Sequence, residues 1–173
     1  MTDARAQATY QVRLDWGVEA FDRLAPAEIV VVVDAIGEDS ALAARVSDRA
    51  AGATVFSGSL RNATATAQAV IDEQLARGGR SAINLVLAGD DGRFAVEDYL
   101  AAGAIGDALS ARGIDHTAPD VAVATEGFRP LGRALKHLLS ASASGSELSK
   151  AGRRDEVIAA AQVDAETVAI RWE

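Results

Sequence analysis

The chain contains no cysteine, which removes disulfides, thiolate zinc sites and a cysteine nucleophile together. Aromatic residues make up only 5% of its 173 residues although 49% are hydrophobic. A core must therefore be built from Ala, Val, Leu and Ile, the usual filling between helices and a parallel sheet. Positive charge is scarce as well. Lys and Arg number 17 against 25 Asp and Glu, a net charge of −8, and a surface of that sign repels a nucleic-acid backbone or an anionic membrane. A local positive pocket for a small anion stays compatible with it. No apolar run approaches the roughly 20 residues that span a bilayer. The start, MTDARAQAT, has no apolar stretch of the kind a signal peptide carries. The expectation is a cytoplasmic protein that binds neither nucleic acid nor membrane. Only His116 and His137 offer imidazoles; no spacing pairs them as ligands, and no Ser-His-Asp order accompanies a nucleophile elbow.

What is present is an alternation of strands and helices within one domain's length. Residues 10–16 alternate apolar and polar side chains, the period of a half-exposed edge strand. Residues 28–34, EIVVVVD, form a continuous β-branched run that predicts a central strand covered on both faces. Further strands are expected at residues 53–56, 81–88 and 168–172. Helices are expected near residues 18–24, 38–51, 60–77, 95–112 and 131–142. The small residues Ala101, Ala102, Gly103 and Ala104 suit close contact with a neighbouring backbone, and a homodimer built on residues 101–105 is one expectation. Residues 113–130 read as a looser section because of Pro119 and Pro130. Residues 140–149 are Ser/Ala/Gly-rich but too short to separate domains, and residues 1–9 read as a flexible arm. The fold expected is α/β, with a mainly parallel central sheet flanked by helices in three α/β/α layers.

In such a sheet ligands gather outside the carboxyl ends of the strands, which selects residues 34–40, 57–62 and 89–98. Asp34, leaving the most buried strand, suits a metal ligand or a general acid/base. It suits equally well an N-terminal helix cap, helped by Glu38 and Asp39. A haloacid-dehalogenase nucleophile would need a second Asp at position 36, which is Ile36. Residues 57–62, SGSLRN, place small residues and backbone N–H groups at a helix start, where a phosphate or sulfonate can be held, with Arg61 as a charged donor. The same pattern also reads as a plain strand-to-helix turn, matching neither a Walker A loop nor a dinucleotide fingerprint. Asp90, Asp91, Glu97 and Asp98 crowd four acids into ten residues, a donor set suited to Mg²⁺ or to a solvated turn with capping acids. Glu97 and Asp98 point about 100° apart on a helix, so at most one of them serves as a direct ligand in a single site.

Several segments together resemble the 2-phosphosulfolactate phosphatase family. In order they are QVRLDWG (residues 11–17), VVVVDAI (30–36), GATVF (52–56), SGSLRNATATA (57–67), FAVEDYLAAGAI (94–105) and SGSELSKAGRRDEVIAAAQVD (144–164). The resemblance implies an α/β fold and Mg²⁺-dependent hydrolysis of a small acidic phosphoester, 2-phosphosulfolactate, to sulfolactate and phosphate. It implies Asp34 as the catalytic residue, Asp34, Glu97 and Asp98 as metal-holding residues, and Ser40, Ser57, Gly58, Arg61 and Asn62 as substrate-binding residues.

The departures from the family are as specific. The family follows its strand Asp with a pattern like D-V-L-[RS]-[AF]-[ST]-T; here Gly37, Glu38 and Asp39 intervene before Ser40. The family's Gly-Glu-Arg, Ser/Asn-Ser-Pro and Thr-Asn-Gly-[TS] segments are missing between residues 56 and 57. Ser59 stands where a Cys usually precedes Leu-Arg-Asn. The alternative expectation is thus a catalytically degenerate member acting as a small-anion binding or assembly protein.

Overall fold

The computed structural model describes residues 3–37, 40–50 and 52–172, without the side chain of Ser40. The strands are β1 (Val12–Trp16), β2 (Ile29–Val33), β3 (Thr54–Gly58), β4 (Ile83–Leu87) and β5 (Ile170–Trp172). The helices are α1 (Ala20–Arg23), α2 (Ser40–Arg49), α3 (Ala63–Ala76), α4 (Val96–Ser110), α5 (Pro119–Leu131), α6 (Leu135–Ala141), α7 (Ala143–Lys150) and α8 (Arg154–Ala160). The sheet runs in the order β1-β4-β2-β3-β5. Its first four strands are parallel, and β5 closes the far edge antiparallel to β3.

The central strand is β2, and no residue in it is more than 2% exposed. Successive side chains in a strand point to opposite faces, so β2 needs cover on both. Ile29, Val31 and Val33 pack with Leu85, Leu87 and the buried sides of α3, α4 and α5. Val30 and Val32 pack with Val55, Val86 and Leu42, Ala43 and Val46 of α2. The result is three α/β/α layers, thick on the α3–α6 face and thin on the α1–α2 face.

Three local expectations change. The looser section contains α5: Pro119 stands in its first turn, where no amide partner is needed, and Pro130 falls in its last turn. The Ser/Ala/Gly-rich stretch contains α7, whose start is capped by Ser142 Oγ accepting from Gly145 N at 3.2 Å. The arm, over its described residues, is hydrogen-bonded to β1. Gln7 clasps the open edge of β1, its Nε2 donating to Leu14 O at 2.9 Å and its Oε1 accepting from Leu14 N at 3.1 Å. Among the described residues no helix is long and apolar enough to cross a membrane.

The small-residue face of α4 is filled by this chain's own α5. A Cβ on Gly103 would overlap the carbonyl of Ala124, and one on Gly106 would overlap Thr125 Oγ1. Ala101, Ala102 and Ile105 have no exposed surface and Ala104 has 3%, so the face expected to meet a second copy is covered. Gly103→Ala should push α4 and α5 apart and lower stability by about 1–3 kcal/mol. Urea denaturation checks this; an unchanged midpoint would show that the helix contact relaxes without loss.

Candidate active site at the end of the central strand

The site follows from which face each crossover takes. The chain leaves β2 for α2 on the thin face, whereas it leaves β3 and β4 for α3 and α4 on the thick face. The strand ends therefore part on both sides of β2, and crevices open where neighbouring connections diverge. One crevice, between β2 and β3, is a cavity of about 630 Å³. The other, between β2 and β4, is a cavity of about 390 Å³. Asp34, the first residue beyond β2, lines both. Its backbone N donates to Gly58 O at 3.1 Å and its Oδ1 accepts from Ile36 N at 3.2 Å. Glu38 and Asp39 lie outside the described residues, as does the side chain of Ser40.

Ser57, Gly58, Ser59, Arg61 and Asn62 all line the larger cavity, yet most of their polar atoms already have partners. Ser57 Oγ accepts from Trp172 Nε1 at 2.6 Å. Asn62 is 2% exposed; its Oδ1 accepts from Ser59 N at 2.8 Å and its Nδ2 donates to Ser57 O at 3.3 Å. That side chain braces the turn. Gly58 has a packing reason to be glycine, since a Cβ there would lie 2.7 Å from Ile105 Cδ1 and 2.9 Å from Val31 Cγ1.

The cationic and helix-start donors of this turn are occupied by the C-terminal segment. Arg61 Nε donates to Glu166 Oε1 at 2.8 Å, and its Nη1 donates to Ala159 O at 2.7 Å. In the first turn of α3, Thr64 N and Thr64 Oγ1 donate to the Asp164 carboxylate at 2.8 and 2.7 Å. Arg153, the other arginine at the cavity, pairs with Glu156. Asp164 and Glu166 escape a reading of the sequence because each lies about a hundred residues from the group it meets.

The smaller cavity is acidic. Asp34, Glu97 and Asp98 line it with Gly89 and Ser144. Glu97 and Asp98 occupy the first turn of α4 and are each only 3% exposed. Their surroundings differ. Asp98 Oδ1 accepts from Ala35 N at 2.8 Å, and Oδ2 accepts from Gly89 N at 2.7 Å. The Glu97 carboxylate accepts no hydrogen bond among the described residues. Also among these residues, no group of three or more His, Asp or Glu side chains is arranged to hold a metal ion. The expected trio of Asp34, Glu97 and Asp98 is thus not a ready-made cage. Mg²⁺ needs less, because it keeps several waters and commonly takes one or two carboxylates with substrate oxygens. Asp34 and Glu97 both line this cavity, so the donor set fits such an ion. His116 and His137 take no part; His116 meets Arg80 and Tyr10 elsewhere.

An acid at the end of a central parallel strand, between a polar turn and an acidic crevice, defines an α/β protein with its candidate site at the carboxyl edge of the sheet. The family model for 2-phosphosulpholactate phosphatase matches residues 39–173, and the chain belongs to that family. The match begins after Asp34, whose importance rests on its place in the fold. No curated protein matches the chain.

Burial raises the Asp98 carboxyl from an ordinary 3.8 to about 7, helped by the nearby Asp34 charge and opposed by the two amide donors. The folded chain therefore retains this proton where the unfolded chain has lost it. Stability should fall as pH rises from about 4 to about 7, by something on the order of a few kcal/mol. Urea midpoints across that window should decline more steeply for the natural chain than for Asp98→Asn. Parallel profiles would contradict the assignment.

Proposed function

We propose that the chain is a Mg²⁺-dependent phosphatase of small acidic phosphoesters, with 2-phosphosulfolactate the substrate its family name suggests. The observation that carries this reading is the position of Asp34, shared by a larger cavity and a smaller acidic one. In this reading the phosphoester lies in the larger cavity with its phosphoryl group at Asp34, and Asp34 and Glu97 hold the ion in the smaller. When bound, the ion supplies polarisation of a phosphoryl oxygen and a water of lowered pKa. Asp34 would orient an attacking water toward phosphorus. Water adds, the P–O ester bond breaks, and the products are inorganic phosphate and the freed alcohol. The Ser59–Asn62 turn fixes the wall against which the substrate's second anionic group lies. A phosphate-release assay with 2-phosphosulfolactate and other small phosphoesters, with and without Mg²⁺, tests the proposal. Turnover should require the metal and fall about 10²–10⁴-fold in Asp34→Asn. Absence of any metal-dependent release across that panel would remove the enzyme reading.

A second reading is favoured by one observation, the pairing of both cavity arginines with Glu156 and Glu166. A dianion entering the larger cavity meets cations already neutralised, which suits weak anion binding without turnover. On that reading, calorimetry detects inorganic phosphate binding without Mg²⁺. Glu166→Gln, which frees Arg61, should then tighten it severalfold, by roughly the worth of one charge-assisted hydrogen bond. An unchanged affinity in Glu166→Gln would count against this reading.

A further inference from the structure

Asp98 joins two strands at the point where they stop pairing. The β2–β4 ladder runs to Val33 opposite Leu87, and Ala88 N still donates to Val33 O at 2.9 Å. Beyond that bond the two chains leave for opposite faces of the sheet. The next donors, Ala35 N after β2 and Gly89 N after β4, both turn to the Asp98 carboxylate, one to each oxygen. A single buried side chain from α4 thus takes over where the ladder ends. The consequence falls on Asp34. Its own amide is bonded to Gly58 O at 3.1 Å, and the following amide, that of Ala35, is bonded to Asp98 at 2.8 Å. The peptides on both sides of Asp34 are therefore pinned, one by β3 and the other by α4.

We propose that Asp98 is a positioning residue, a strap across the diverging ends of β2 and β4 that fixes Asp34 at the junction of the two cavities. Of the two neighbouring acids, the metal contact then falls to Glu97. The two side chains leave the helix about 100° apart, and they divide the work accordingly: Asp98 accepts from the two backbone donors, whereas Glu97 lines the cavity and accepts no hydrogen bond from the described residues. The catalytic consequence rests on the phosphatase reading above; the strap itself does not. Groups that orient a ligating or reacting side chain typically change metal affinity or activity by about 10–100-fold when removed.

The test uses the full chain, labelled for amide NMR, with Mn²⁺ as the metal probe. In the natural chain the Ala35 and Gly89 amides should exchange as slowly as ladder amides. In Asp98→Asn at least one of them should exchange about tenfold faster or more, with its resonance moved, while the Val33 and Leu87 amides stay protected. Mn²⁺ affinity should fall about tenfold or more in Glu97→Gln and change little in Asp98→Asn. Where phosphate release is measurable, Asp98→Asn should lower kcat about 10–100-fold with KM nearly unchanged. Unaltered Ala35 and Gly89 amides in Asp98→Asn, or a loss of Mn²⁺ binding equal to that in Glu97→Gln, overturns the proposal. If Asp98→Asn does not fold, the natural chain decides: Ala35 and Gly89 amides exchanging as fast as the exposed Asp91 amide sink the strap. If the natural chain neither binds Mn²⁺ nor releases phosphate, the phosphatase reading fails, and amide exchange alone judges the strap.

Discussion

The two-sided burial of β2 is the constraint from which the rest of the structure follows. Five consecutive β-branched residues with almost no exposed surface cannot sit at an edge or against solvent. They require strands on both flanks and helices on both faces. The chain meets that demand by sending α2 to one face and α3 and α4 to the other. Those opposed crossovers leave the backbone parting on either side of the β2 terminus. The cavities are thus by-products of covering a hydrophobic strand. Asp34 owes its position to being the first residue that the core no longer encloses.

The far edge of the sheet shows how the chain completes itself. It turns from β3 straight into α3. An uncovered β3 would then offer unpaired backbone groups. Instead β5 returns from the far end of the sequence and pairs with Val55, Phe56 and Ser57 in antiparallel register. The segment leading to β5 brings Asp164 and Glu166, which bind the start of α3 and Arg61. The same excursion that closes the sheet therefore lowers the positive potential of the larger cavity. Closure of the fold and affinity for an anion pull in opposite directions here.

How much of this the sequence discloses depends on whether the signal is periodic or positional. The β2 run, β4, α3 and α4 are legible because burial imposes a period on side-chain type. The helices α5 and α7 are not. In α5 the two prolines look like breakers, although Pro119 stands in the first turn and Pro130 in the last. In α7 the polar, small composition hides a helix that packs against α6 and α8. Ser57, Gly58, Arg61 and Asn62 are legible as a group at a strand end, and they do line one cavity. Their partners are invisible in the sequence, because tertiary contacts such as Arg61 with Glu166 span 105 residues.

The acid pair at the start of α4 marks where residue type stops informing and geometry begins. Adjacent carboxylates in a helix's first turn look alike in a sequence, and both gain from the helix's positive end. The helical turn separates them by about 100°, and only Asp98 accepts from the amides just beyond the strand termini. What that one meets is two backbone amides, and these carry no signature, since every residue but proline has one. Ala35 and Gly89 matter here through their amides, because the ladder ends before it reaches them. The strap is therefore a property of where pairing stops, which is itself fixed by the opposed crossovers on either side of β2. A replacement for Asp98 in a relative would need an acceptor of the same reach at that point of α4. A Ser or Thr hydroxyl there is too short to bridge two amides that a carboxylate spans with both oxygens, so Asp34 would lose one of its two pins.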